Sequence, residues 1–249
     1  MITDCYDINS KPIVSFEAFY GPKKELVEVC LVTFSKEIHA HLLSQYKCEQ
    51  IAEVCFCNGN IPVWKFETGG KAIAFYLSPV GSSTAGGMTA EVNHLTGANK
   101  FVMFGSCGSL DNDVTKGKFI IPTQAYRGEG MSYYFAPPQD YITVKNADFI
   151  AGIFTEYDIP FVKGRIWTTD CMLRETVNLV NKRKSEGCIA VEMEVAGVQA
   201  VCDFYGFELY DFLAAGDVLS EDEYQVEGLS DANHSLDKVK IALQIAMMI

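Results

Sequence analysis

The chain contains no apolar run approaching the ~18 residues that a membrane span requires, and no extended basic tract. Its N-terminal stretch, MITDCYDINSKP, has neither the cationic nor the apolar part of a signal peptide. The expectation is therefore a soluble, cytoplasmic protein with no membrane partner. Nucleic acid is set aside on charge. Acidic residues number 32 against 20 basic ones, a net charge of −12, whereas a nucleic-acid surface needs a clustered positive footprint. A small phosphorylated or neutral ligand stays open. Zinc-finger spacing is also missing. Of nine cysteines only Cys55 and Cys57 lie close together, and Cys30, Cys107, Cys188 and Cys202 fall inside apolar runs, where free cysteine acts as a small hydrophobe. The odd count suits reduced thiols, and no metal centre is expected.

What is present is a pattern of short apolar strands alternating with amphipathic helices over 249 residues. Residues 25–34 read as a strand and 35–46 as a helix. Residues 63–80 read as a hairpin turning at Gly69-Gly70, and 84–96 as a helix stopped by Gly97. KFVMFGSCGSL is a buried strand running into a glycine-rich turn, 117–127 a further strand, and 130–145 a loop. A helix near 147–157, a strand at 160–169 and a helix near 174–186 follow. GCIAVEME then reads as a strand, VAGVQAVCDFYG as a helix closed by Gly206, 207–219 as the last strand and 230–248 as one terminal helix. The expected class is α/β, one domain over 1–249 with 1–24 as an N-terminal arm, its largely parallel sheet buried between helices.

Ligands of open α/β sheets sit beyond the carboxyl ends of the strands. Three polar or glycine-rich stretches fall there: GSCGS after 101–104, EME closing 188–194, and AGD after 208–214. Glycines after a buried strand let backbone N–H groups approach an anion or hydroxyl, although a tight turn alone has the same spelling. Within AVEMEVAG, two glutamates interrupt an apolar run, where an unpartnered buried carboxylate costs several kcal/mol. In a strand, Glu192 and Glu194 share one face. If the helix starts early they diverge by roughly 200°, and a helix N-terminus is itself a favourable place for carboxylates. Asp217 ends an apolar strand with no basic neighbour in sequence, the setting of a proton donor or of a turn aspartate.

FGSCGSL, AVEMEVAG and AAGD, in this order and at these separations, resemble the nucleoside phosphorylase superfamily, from about residue 25 to the C-terminus. AYRGEGMSYYFAPPQDY is similar to the corresponding stretch of uridine phosphorylases, and GRIWTTDCMLRET occupies the place of the base-contacting loop. The resemblance implies a three-layer domain with a mixed, twisted central sheet, a homo-oligomer (dimer or hexamer) and a small-molecule nucleoside as ligand. It also implies cleavage of the N-ribosidic bond by phosphorolysis, with phosphate as co-substrate and no cofactor. By carry-over, Glu194 and Met193 hold the ribose with Glu192 nearby, and Asp217 donates to the departing base. Met172 lies where an aromatic often stacks, and Arg174 stands in for base-reading residues that have no clean match.

The phosphate cradle departs from the family pattern. Its arginine positions read Met103, Ile38 and Gly59, and a first-loop glycine reads Phe34. Ser106, in one turn with Cys107 and Gly108, remains as a phosphate contact, and Lys36 or Arg127 are candidate replacements. The histidine that many members lend from the N-terminal segment is absent. Nucleosidases of the superfamily lack these arginines too and use a first-loop glutamate to activate water, a position close to Glu37. Three readings follow: phosphorolysis, hydrolysis through Glu37, and nucleoside binding with degenerate catalysis.

Overall fold

A computed structural model describes residues 1–220 and 224–249. Its strands are β1 (Val29–Thr33), β2 (Glu49–Val54), β3 (Ile61–Thr68), β4 (Lys71–Leu77), β5 (Lys100–Ser109), β6 (Phe119–Gly128), β7 (Tyr141–Thr143), β8 (Phe161–Thr169), β9 (Cys188–Glu192), β10 (Glu208–Leu219) and β11 (Tyr224–Gln225). The helices are α1 (Phe16–Tyr20), α2 (Lys36–Gln45), α3 (Ser82–Thr96), α4 (Asn112–Thr115), α5 (Ser132–Phe135), α6 (Ala147–Glu156), α7 (Val177–Ser185), α8 (Val195–Tyr205), α9 (Leu229–His234) and α10 (Asp237–Met248).

All strands join one sheet, in the order β11-β10-β6-β8-β9-β5-β1-β4-β3-β2, with β7 on β6. The sheet is mixed rather than largely parallel. β1 runs parallel to β4 and β5, and β6 to β8, whereas β2-β3-β4 is an antiparallel meander and β9 meets β5 antiparallel. β10 closes the order on itself, pairing with both β5 and β6. Five strands (β5, β10, β6, β8, β9) thus form a circuit, and the ends of three of them crowd together at one point.

Burial divides by face, which produces the three layers. On one side α3 and α8 cover Cys30, Val32, Phe101 and Met103 with Met88, Val92 and Val198. On the other, α2, α6 and α10 pack Leu42, Phe154 and Ile245 against Leu31, Phe104 and Phe212. Side chains alternate across a strand, so Phe104 and Phe212 stack on the second face, at 5.8 Å, while Met103 and Cys107 face the first. Both expected helix stops hold: Gly97 and Gly206 adopt left-handed conformations, with φ 86 and 75.

Four boundaries differ from expectation. The glycine-rich turn expected after Phe104 is strand, because β5 continues through Ser109. The strand over 187–194 ends at Glu192, because α8 begins at Val195. The terminal helix is two helices, α9 and α10, parted at Ser235-Leu236. The 130–145 loop carries the short α5 and β7, the latter paired with β6. Among the described residues no helix is long and apolar enough to cross a membrane.

Candidate active site

The ends of β5, β9 and β10 enclose a cavity of about 540 Å³. Gly105, Ser106, Cys107 and Gly108 line it from β5, Glu192, Met193 and Glu194 from the β9–α8 junction, and Asp211, Leu213 and Asp217 from β10. Met172, Leu173, Glu175 and Val177 close one side, and Phe34 and Asn233 another. Glu194 and Asp217, from segments more than twenty positions apart in sequence, thus share one cavity.

Gly108 explains how the strands come so close. A Cβ at that position would fall 2.5 Å from Leu219 Cδ1, 3.1 Å from Val191 Cγ1 and 3.4 Å from Asp217 Oδ2. Only a residue without a side chain lets β9 and β10 converge there. Beside it, Ser106 donates its hydroxyl to Asn233 Oδ1. Cys107 is buried, with its thiol directed to the Ala214 carbonyl at 3.7 Å, and burial pushes that thiol well above its ordinary range. It is packing, not a nucleophile.

The two glutamates of AVEMEVAG have different surroundings. Glu192 Oε2 accepts the backbone N–H groups of Glu194 (2.6 Å) and Val195 (2.8 Å). Its Oε1 pairs with the Thr168 hydroxyl, which in turn accepts the Ala196 N–H at 3.1 Å. Glu192 therefore satisfies the exposed donors at the start of α8, and both of its oxygens are engaged by protein. Glu194 turns away from its own helix: Oε1 accepts the Gly81 N–H at 2.6 Å, which ties the start of α3 to the cavity wall. Burial, with the nearby Glu194 charge, pushes Glu192 up to about 8, and burial raises Glu194 to about 7.

Asp217 sits against Glu175 and Tyr224. Burial, with the Asp217 charge, carries Glu175 up to about 7, and burial, Asp217 and Glu175 all raise the Tyr224 phenol. Five carboxyl groups line the cavity: Glu175, Glu192, Glu194, Asp211 and Asp217. No lysine, arginine or histidine does, among the described residues. No group of three or more histidine, cysteine or acidic side chains is disposed to hold a metal ion among those residues.

Four sequence candidates, Lys36, Glu37, Arg127 and Arg174, lie outside the cavity lining. Glu37, in the first turn of α2, is 46% exposed and pairs with His234 Nδ1 at 2.7 Å, beside the Ser35 hydroxyl. Arg127 is buried, and its guanidinium donates to Ser132 Oγ (2.7 Å) and to the carbonyls of Ala136, Pro137 and Gln139. It also covers the Tyr133 ring at 4.1 Å. These bonds make Arg127 the organiser of the 130–140 loop. Arg174, in a short 3-10 turn after Cys171, does not reach the lining. Conversely, sequence reasoning passed over Asp211, Glu175, Asn233 and Lys238. The last is buried behind Gly105 of β5, where Nζ donates to the carbonyls of Gly105 (3.1 Å), Ala232 and Asn233 (3.2 Å). Burial lowers it to about 8.

A three-layer α/β fold with an acidic cavity where strand ends converge is an architecture that holds a small-molecule ligand. Comparison supplies the family. Residues 28–245 match the model of the phosphorylase superfamily, and the chain belongs to that superfamily. A purine nucleoside phosphorylase DeoD-type of Bacillus cereus is 25% identical over 182 residues, covering 71% of this chain and 77% of that protein. The protein of the same description from Bacillus thuringiensis (strain Al Hakam) matches equally. Among solved structures, futalosine hydrolase of Helicobacter pylori strain 26695 superposes with a TM-score of 0.70 at 17% identity, over 88% of this chain and 98% of that one. Helicobacter pylori 5'-methylthioadenosine/S-adenosyl homocysteine nucleosidase does so with a TM-score of 0.70 at 19% identity, over 89% and 100%. At such identities these two speak to the fold alone.

Proposed function

We propose that the protein cleaves the N-ribosidic bond of a nucleoside and that the acceptor is water rather than phosphate. The observation that carries this reading is the charge of the cavity, which has five carboxyl groups and no cation among the described lining residues. Phosphorolysis requires a bound dianion, which proteins hold with charge-assisted donors, arginine above all. At a separation of roughly 10 Å, one ionised carboxylate repels a dianion by about 3 kcal/mol at an effective dielectric of 20. Burial shifts several of these carboxyls toward the neutral form, which removes repulsion without supplying attraction. Water meets no such barrier.

In this reading the ribose rests on Met193 with its hydroxyls toward Glu194, whose carboxylate stabilises the cationic sugar as the bond to the base breaks. Asp217, beside Gly108, donates a proton to the departing base, which favours a purine over a pyrimidine. Exposed Val80, Met172, Leu173 and Val177 at the cavity rim suit a second copy of the chain closing the mouth, as the expected homo-oligomer would. Glu37, tied to His234, is not used.

Phosphorolysis remains the competing reading, and the similarity to the DeoD-type phosphorylases favours it. Purified protein incubated with inosine, adenosine, uridine or methylthioadenosine, with and without phosphate, separates the two. The expected result is base release at the same rate in both conditions. Release only with phosphate would refute the proposal.

A further inference from the structure

We propose that Asp211 binds the acceptor water at the deep end of the cavity and takes its proton. The inference deepens the hydrolytic reading and rests on it.

Asp211 lies in the middle of β10, between Tyr210 and Phe212. It is fully buried and lines the cavity, yet neither Oδ1 nor Oδ2 has a hydrogen-bond partner among the described residues. Buried polar groups are paired in the great majority of cases, and an exception needs an explanation. Glu192, close by, has both oxygens engaged by protein groups. Asp211 has none engaged, so its missing partner is something the cavity admits. Leaving such a group unpaired costs about 1–3 kcal/mol or more, whereas a valine would continue the apolar strand without that loss.

Position says what the partner is. Asp211 pairs in register with Met103 of β5, and Asp217 lies six residues along the same strand, against Gly108. β10 bulges between Ala215 and Val218, so the span is the five positions from Met103 to Gly108, ~17 Å at a strand rise of ~3.3 Å per residue. Met193 and Glu194 line the cavity from the β9–α8 junction. With the base at Asp217 and the sugar at Met193 and Glu194, an acceptor must approach the anomeric carbon from the side opposite the base. That side is the Asp211 end. Met103 and Met193, both lining residues, are unbranched and adaptable enough to make room for a water there.

The step then balances. The water oxygen bonds to the anomeric carbon as the carbon–nitrogen bond breaks, and the electron pair of that bond leaves with the base, which takes a proton from Asp217. One water hydrogen stays on the new hydroxyl, and the other passes to an Asp211 oxygen. Burial, with the charges of Glu192 and Glu194, drives the Asp211 carboxyl well above the ordinary carboxylate range, so the step draws on the ionised form, which grows as pH rises, and base release should rise with pH.

The test is Asp211→Asn, which keeps shape and volume but cannot accept the proton. Base release should lose at least ~100-fold in kcat, the usual scale of general-base catalysis, with KM changed by less than about threefold. Thermal stability should hold or rise. A structural aspartate predicts the opposite, full activity in the amide. In a second arm, Asp211→Ala is supplied with formate, a small carboxylate that fits the vacated volume. Recovery of about tenfold or more is expected, and no recovery would overturn the proposal. Failure of the two readings is distinguishable: wild-type release that needs phosphate removes hydrolysis and this inference together. Phosphate-independent release with an undiminished Asp211→Asn variant removes the inference alone.

Discussion

Glu192→Ala tests whether the first glutamate of AVEMEVAG is a builder of the site rather than a ligand contact. The substitution strips acceptors from two backbone N–H groups of α8, at 2.6 and 2.8 Å, and from the Thr168 hydroxyl. Each buried donor left unpaired costs about 1–3 kcal/mol, partly offset because a buried carboxyl is removed as well. A net loss of about 3 kcal/mol is expected, and for a domain of this length each kcal/mol moves Tm by roughly 2–4 °C, giving a fall of roughly 6–12 °C. Glu192→Gln separates hydrogen bonding from charge. Its carbonyl can serve the two N–H groups while its amide nitrogen donates to Thr168 Oγ1, so stability should stay within about 1 kcal/mol of wild type. Both are measured by thermal melts and denaturant titration with the midpoint and slope fitted separately. An alanine variant as stable as wild type, or a glutamine variant as damaged as alanine, would refute the assignment.

Asp217→Asn should lose purine release by at least ~100-fold with smaller loss on any pyrimidine substrate, read by chromatography of the free base. Equal loss on both would exclude proton donation to the base. Lys238→Met removes the donor shared by the Gly105, Ala232 and Asn233 carbonyls. It should cost about 2–4 kcal/mol in denaturant unfolding, and a neutral effect would contradict its role behind Gly105. Stability should also fall as pH rises from 4.5 to 8. Glu192, Glu194 and Glu175 sit at about 8, 7 and 7 in the fold against an ordinary 4.5. The folded chain therefore holds protons there that the unfolded chain has released, and the stability they contribute below pH 4.5 is lost through that window. Melts that rise with pH over it would count against these shifts.

How much of this was legible in sequence varies residue by residue. The convergence of three strand ends was readable because buried strands, turn glycines and misplaced carboxyls are local signals. What holds each glutamate in the cavity wall was not, since Glu192 is fixed by Thr168 from β8 and Glu194 by Gly81 ahead of α3. Asp211 carried the same signal as Glu192, a carboxyl inside an apolar strand, and was passed over in FELYDFL. Lys238 was discoverable too, since it occupies the apolar face of α10 with Ile241, Ala242 and Ile245, at helical spacing. By contrast, β2 is an edge strand with only three apolar residues in six and half of its positions exposed, and no glycine or proline marks the break at Ser235-Leu236. The closure of β10 onto both β5 and β6 depends on pairings over a hundred residues apart in sequence for β5 and nearly as far for β6, which no window of sequence contains.

Phosphorus NMR of a running reaction in excess phosphate reads the acceptor directly. As free base accumulates, the phosphate resonance should remain alone and the sugar should appear as free ribose. A ribose 1-phosphate resonance growing in step with the base would contradict the claim that this acidic cavity uses water.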